Sequence, residues 1–299
     1  MDTLEETLKE LAEVECGRSL RELTTLRIGG HARFVVYPHN IVSLDGVMRV
    51  LARNGVRYKM IGKGSDLLCS DRDYDGAVIK LDRFFDDTYY DGNVLTAQAG
   101  CSIIACSVEA MKRGLSGLEF ASGIPGTVGG AVFMNAGAYR SSICDVLQEV
   151  LVMRDGHFEW LSAAQCAFSY RSSIFQKHPD WIILAARFAL TPRDKDEIAA
   201  LMDNRRTRRV QSQPLNKPSC GSVFRNPENG NAWALIDGIG YRGHACGGAQ
   251  VSEKHCNFII NNGNASAEDY LQLVTEIQQK VKEKYGIDLQ TEVEKFNWE

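Results

Sequence analysis

The stretch GLSGLEFASGIPGTVGGAVFMNAGAY, residues 114–139, constrains the fold more than any other part of the chain. Gly117, Gly123, Gly126, Gly129, Gly130 and Gly137 crowd so closely that neither a helix nor a strand is expected to survive across them. The stretch is read as one long loop, its turn stiffened by Pro125. Two readings stand: an Ω-type loop packed on itself, or a cradle whose backbone N–H groups face an anion where missing Cβ atoms permit close approach.

Two shorter glycine turns sharpen the choice. IGKGSDLL, residues 61–68, has Leu67 where a Rossmann fingerprint needs its third glycine, and LLCSDRDYDG cannot continue as a helix. What remains is a strand-end turn in which Gly62, Gly64 and Ser65 offer amide and hydroxyl donors. With LRIGG at 26–30, three glycine turns are available to one extended phosphate-bearing cofactor, for which a flavin or nicotinamide dinucleotide has the natural size.

The rest of the chain reads as short strands and a few helices. RFVVYP, VRYKMI, GAVIKL, VLTAQAG and NFIINNG are expected strands, and LQEVLVMRDGHFEWLS is a hairpin about Asp155-Gly156. WIILAARFAL is a deep strand. Helices are expected over residues 1–13, 44–54, 104–113, 194–210 and 267–285, the last with Ser266 as N-cap, Asp269 three residues on and Gly286 as its stop. The tail alternates from Ile287 through Val293 and is expected to be a strand. Without steady strand-helix alternation, the class is α+β in several domains.

Composition excludes several functions. A 299-residue chain fits two or three domains, and 44% hydrophobic with 24% charged residues is the balance of a soluble globular protein. A net charge of -4 supplies no polycationic face for nucleic acid. The Arg205, Arg206, Arg208 and Arg209 cluster follows acidic residues and is either a local anion site or a solvated helix face. Nine cysteines without a C-x-x-C pair suit a reducing cytoplasm, and the Cys101/Cys106 and Cys246/Cys256 spacings do not fit a zinc module. No metal is expected. No run approaches the roughly 20 apolar residues of a membrane span, and MDTLEETLKELAE is acidic and amphipathic, unlike a signal peptide.

Three residues are candidates for chemistry. Arg171, in FSYRSSIF, calls for an anion, either a protein carboxylate or a bound one. Ser222, in CGSVFRNP, lacks the G-x-S-x-G elbow of a hydrolase but can donate a proton to a strong base formed beside it. Glu292 can polarise a substrate if the tail returns to the site, and an isolated glutamate is more often solvent-facing. His244 and His255 lack ligand-like spacing.

The segments TTLRIGG, GKGSDLL, GLSGLEFASGIPGTVGGAVFMNAGAY, YRSSIF, QPLNKPSCGSVFRNP, GGAQVSEKHCNFIINNGNASA and LQTEVE, spread over nearly the whole chain, closely resemble the UDP-N-acetylenolpyruvoylglucosamine reductases. The resemblance implies an FAD-binding fold of the vanillyl-alcohol-oxidase (PCMH) type with a separate α+β substrate-binding domain. Residues 1–80 with 288–299 would form the first FAD-binding domain, 81–203 the second, and 204–287 the substrate domain. FAD would be held by Gly62, Lys63, Gly64, Ser65, Asp66 and Leu67, and by Ser122, Gly123, Ile124, Pro125, Gly126, Thr127 and Gly129. NADPH would reduce FAD and leave before the enolpyruvyl sugar nucleotide enters. A hydride from flavin N5 would go to the vinyl β carbon, and Ser222 would protonate the α carbon. Arg171 would stabilise charge developing on the substrate carboxylate, with Glu292 acting protonated or through a hydrogen-bond network. Tyr170, Lys217, Arg225 and Asn226 are expected substrate contacts.

The sequence departs from the family pattern at Arg140, where glycine is usual, and it lacks the insertion bearing a substrate-capping tyrosine found in one branch. A cytoplasmic monomer acting on small molecules, without membrane or nucleic acid, is expected. The alternatives are another FAD-dependent oxidase or dehydrogenase of the same fold, which needs a base to take a substrate proton, and a sugar-nucleotide binding module, which would have lost Arg171, Ser222 or Glu292.

Overall fold

A computed structural model of the chain describes residues 3–228 and 230–298. The expectations for Met1 and Asp2 in the first helix and for Glu299 in the tail lie outside these residues. The chain forms two compact units. The first comprises Met1–Cys16, Phe34–Lys63 and Gly76–Thr207; the second comprises Gly17–Arg33, Gly64–Asp75 and Arg208–Glu299.

The first unit is centred on a five-stranded antiparallel sheet in the order His157–Ser162, Leu147–Arg154, Ile182–Ala189, Val94–Gln98, Thr88–Asp91. The expected hairpin is present, pairing Arg154 with His157. Its turn needs two residues at positive φ, and Asp155 (50°) and Gly156 (73°) supply them. Ala186 opposes Val150 on one side and Ala97 on the other, all fully buried. The helix Ile103–Lys112, capped by Ser102, and the helices Thr3–Leu11 and Ile41–Arg53 add apolar faces to this core. A further sheet runs in the order Ala12–Ser19, His31–Pro38, Tyr74–Ile79, Tyr58–Met60, its last pair parallel.

The second unit packs the helix Ala267–Tyr285 on a three-stranded antiparallel sheet of Ala245–Cys246, Ala249–Val251 and Ile259–Asn261. Tyr270, Leu273, Val274, Ile277 and Val281 are buried, as their helical spacing predicts. The capping box between Ser266 and Asp269 is complete, and Gly286 ends the helix at φ 71°. The strand Glu294–Phe296 runs parallel to Leu67–Cys69.

Three expectations need correction. The glycine-dense stretch is not all loop: it holds a 3₁₀ turn at Glu119–Gly123 and an α-helix at Val128–Phe133. Thr127 caps that helix by accepting the Gly130 amide, and Gly129 lies so close to Ala99 that a Cβ would sit 3.1 Å from the alanine Cβ. Close packing outweighs the low helix propensity of glycine there. The first helix stops at Leu11 instead of reaching Glu13, because Ala12–Ser19 is recruited into the four-stranded sheet. Among the described residues the tail forms a named strand at Glu294–Phe296 alone, with a single bridge from Thr291 to Phe224 before it, although Leu289 and Val293 are buried as their alternation implies. Alternation reports which side chains face the core; it does not name a hydrogen-bonding partner.

Among the described residues no helix is long and apolar enough to cross a membrane, and no cluster of His, Cys, Asp and Glu is suited to a metal. All nine cysteines are free.

Candidate active site

In the first unit the turn at Gly62 and the glycine-dense stretch meet. A Cβ on Gly62 would lie 2.6 Å from Thr127 Oγ1, so only glycine permits the approach. The amides of Gly62, Lys63, Gly64 and Ser65 have no acceptor among the described residues, a run of donors suited to an anion. The 122–127 segment differs. Its Ile124 and Gly126 amides are spent on Ala121 O and Ile124 O, while a Cβ on Gly126 would meet only Ile124 Cγ2, at 4.0 Å. This segment therefore offers space more than donors. Thr127 itself is buried. Within the first unit, the unspent amides at Gly62 and Lys63 and the open space at Gly126 are of the kind a phosphate-bearing dinucleotide requires.

Neighbouring predicted positions take different places. Pro125 is exposed, and Ser122, Gly123 and Ile124 are half-buried, with Ser122 Oγ donating to Glu119 O. Lys63 pairs with Asp82 at 3.0 Å. Gly64 and Ser65 belong to the second unit, as do half-buried Asp66 and buried Leu67. There the LRIGG turn is explained by packing: a Cβ on Gly29 would lie 2.8 Å from Cys69 Cβ, and one on Gly30 2.5 Å from Arg72 O.

Arg171 is also in the first unit. Ser169 and Ser172 exchange two backbone hydrogen bonds of 3.1 Å, leaving Tyr170 and Arg171 at the tip of a tight turn. Arg171 adopts φ 52°, costly for a residue with a side chain and a recurrent feature of functional sites. Nη2 donates to Gly137 O at 2.9 Å, at the end of the glycine-dense stretch. Sequence reading missed the residues that pin this turn. Buried Asn135 donates to Ser169 O at 2.9 Å, Ser173 Oγ donates to Phe133 O at 2.6 Å, and Gln176 Nε2 donates to Arg171 O at 3.1 Å. Tyr170 is 53% exposed. Arg140, the departure from the family pattern, is exposed at φ 63°.

The second unit pairs the backbone of residues 223–225 antiparallel with that of 290–292, which sets Val223 opposite Glu292 and leaves Ser222 one residue before the pairing. The Glu292 amide donates to Val223 O at 2.8 Å, Phe224 bridges Thr291, and the Arg225 amide donates to Gln290 O. Ser222 is half-buried, and its hydroxyl has no hydrogen-bond partner among the described residues. Gly221 before it has φ 78°, with nothing within 4 Å of where a Cβ would be. Cys220 is packing: its Sγ lies 3.1 Å from the buried Tyr270 hydroxyl, and complete burial pushes its thiol up to about 12.

Asn257 holds this segment, and its sequence carried no signal beyond a polar residue among apolar ones. It is buried, its carbonyl accepts the Val223 amide, and its side chain both accepts from and donates to the Phe224 backbone, at 3.0 and 2.8 Å. Arg225 keeps a buried Nε without a hydrogen-bond partner, which suits a nearby anion. Asn226 accepts the Ala232 amide at 3.0 Å, and Lys217 is exposed.

Comparison with known proteins gives this arrangement a family. A model described as "UDP-N-acetylenolpyruvoylglucosamine reductase, C-terminal domain" matches residues 213–296, and one described as "FAD binding domain" matches residues 32–162. The chain is 44% identical to the UDP-N-acetylenolpyruvoylglucosamine reductase of Bacillus licheniformis, over 97% of this chain and 98% of that one. It is 40% identical to that of Bacillus subtilis over 97% and 98%. The crystal structure of the Thermus caldophilus reductase (MurB) superposes with a TM-score of 0.80 at 34% identity, covering 95% of this chain and 98% of that one. At these identities over nearly the full length of both chains, this chain belongs to the UDP-N-acetylenolpyruvoylglucosamine reductase family.

Proposed function

We propose that the chain is the FAD-dependent enzyme that reduces UDP-N-acetylglucosamine enolpyruvate to UDP-N-acetylmuramate with NADPH, a step in making peptidoglycan precursors. The observation that carries the reading is the half-buried, unpartnered hydroxyl of Ser222, which directly precedes the segment whose backbone pairs with 290–292, in a chain of this family. The chemistry that a bound FAD supplies is hydride transfer, from NADPH and then onto the vinyl β carbon of the substrate.

The chain's own residues supply the rest. Ser222 Oγ gives its proton to the substrate α carbon, and Gly221 leaves room for the substrate to approach. Arg171, as a fixed cation, stabilises charge spreading onto the substrate carboxylate. Glu292 polarises the substrate, protonated or through a hydrogen-bond network. Lys217, Arg225, Asn226 and Tyr170 contact the sugar nucleotide, with the buried Arg225 Nε favouring an anionic group. Gly62 to Leu67, with Ser122 to Thr127 and Gly129, hold FAD.

In the division of labour we propose, residues 1–80 with 288–299 and residues 81–203 serve FAD, and 204–287 serve the sugar nucleotide. A monomer in a reducing cytoplasm suits nine free cysteines. An oxidase or dehydrogenase of the same fold would need a general base in place of a proton donor, and the Ser222 hydroxyl does not suit that task.

The test is an anaerobic absorbance trace between roughly 350 and 550 nm, the flavin range, with NADPH added before the enolpyruvyl sugar nucleotide. Bands that bleach and then return support both half-reactions. Bands that bleach but do not return redirect the substrate assignment, and a protein that cannot be loaded with FAD overturns the reading.

A further inference from the structure

Lys80 and Glu119 are the charged residues that are buried among those described, at 7% and 6% exposure. Glu119 is accounted for by local structure, since Ser116 Oγ and the Gly117 amide donate to its carboxylate. Lys80 lies in the first unit just beyond the strand Tyr74–Ile79, and no role in the reaction has used it. Burying an ammonium is costly unless it is paired and hydrogen-bonded, so its partners reveal what it holds.

They include Gly62 O, to which Nζ donates at 2.5 Å, and Asp82 Oδ2 at 3.4 Å. Gly62 opens the run of amides without acceptors. Across a trans peptide the carbonyl of one residue and the N–H of the next lie in one plane and point opposite ways. An ammonium that fixes Gly62 O therefore fixes the Lys63 N–H in the opposite direction, and that N–H has no acceptor among the described residues. Thr127 Oγ1 packed against Gly62 limits rotation of the same peptide.

We propose that Lys80 is a positioning residue for the pyrophosphate of FAD: by holding the Gly62 carbonyl it aims the Lys63 amide at the cofactor. The proposal rests on the flavoenzyme reading above. The competing account makes Lys80 only the counter-ion of Asp82, although exposed Lys63 already pairs with that carboxylate.

The experiment strips the purified protein of flavin and measures FAD rebinding by quenching of flavin fluorescence in wild type, Lys80→Met and Asp82→Asn. Far-UV circular dichroism and apo-protein melting report the fold of each. Loss of one charge-assisted hydrogen bond predicts FAD binding about 10- to 100-fold weaker in Lys80→Met, with ADP competing correspondingly less well. Asp82→Asn, which keeps the lysine and its bond to Gly62, should stay within about threefold of wild type, a change of under 1 kcal/mol by the same conversion. Lys80→Met binding FAD as wild type does, or Asp82→Asn losing as much affinity as Lys80→Met, overturns the proposal. Should Lys80→Met fail to fold, Lys80→Arg takes its place: retained affinity supports the proposal, and a loss of about tenfold or more overturns it. A wild type that cannot bind FAD sinks the flavoenzyme reading itself, a result distinct from a wild type and a Lys80→Met variant that bind equally.

Discussion

Ser222 differs from its neighbours in having nothing to do within the fold. Cys220 packs against Tyr270, Val223 and Phe224 are clamped by Asn257, and the Arg225 amide joins Gln290, while the Ser222 hydroxyl is left without a partner. Ser222→Ala should therefore leave stability and flavin reduction by NADPH close to wild type. It should slow reoxidation by the enolpyruvyl substrate by roughly 10²–10⁴-fold, the usual worth of a positioned acid. Stopped-flow absorbance separates the two steps, and an equal loss in both would remove Ser222 as proton donor. The clamp has its own pH dependence. Burial holds the His255 imidazole below its ordinary value of 6.5, and its Nδ1 lies 3.3 Å from the Asn257 amide, a bond that needs an unprotonated nitrogen. Because the unfolded chain takes up that proton more readily, His255 contributes stability that is complete above about pH 6.5 and falls away below it. Melting temperature followed from pH 8 to 5 should fall less steeply in His255→Gln than in wild type. At this scale the candidates Arg171, Ser222 and Glu292 were legible as types in motifs. Asn135, Asn257 and Lys80 were not, because each acts through backbone atoms remote in sequence, and a residue type does not reveal which carbonyl it will reach.

Elements were most legible where local signals agreed with tertiary packing. The helix Ala267–Tyr285 had its cap, its apolar stripe and its stop written in order, and all three are realised. Its capping box also reaches beyond the helix: Asp269 accepts the Ser266 and Gly248 amides, both at 3.0 Å, and these bonds hold its carboxyl below the usual carboxylate range. Asp269→Ala, which removes the reciprocal half of the capping box, should lower stability by about 0.5–2 kcal/mol, the range for lost capping interactions. The contribution is present above the unfolded carboxyl value of about 3.9 and is lost as pH falls through the lower folded value. Denaturant titrations of wild type and variant at pH 7 and at pH 3 should therefore differ at the first and converge toward the second. The helix Val128–Phe133 was illegible for the opposite reason. Its glycines argue against a helix locally, and only the proximity of Ala99 and the cap from Thr127 explain why one forms.

At the scale of the molecule, the division of the chain is the feature that a linear reading is least able to recover. The second unit draws on three separated segments, and its core contains Leu26, Ile28 and Leu68, at 0%, 1% and 2% exposure, from far upstream of the C-terminal family match at 213–296. Backbone groups join the same segments. Asn261 Nδ2 donates to Leu26 O at 3.1 Å and Arg27 O at 3.2 Å, and the Ala267 amide donates to Asp71 at 2.7 Å. A fragment of residues 208–299 would lose three buried aliphatic side chains, each worth about 1.5–3 kcal/mol, and would leave the Asn261 amide unmet. That loss is comparable with the ~5–15 kcal/mol that stabilises a whole domain. The fragment should consequently retain helix at Ala267–Tyr285 in its far-UV spectrum while showing no cooperative thermal transition. Joining residues 17–33 and 64–75 to it through flexible linkers should restore one. A cooperative transition in the bare fragment would show that the upstream segments merely rest on a core that is complete without them.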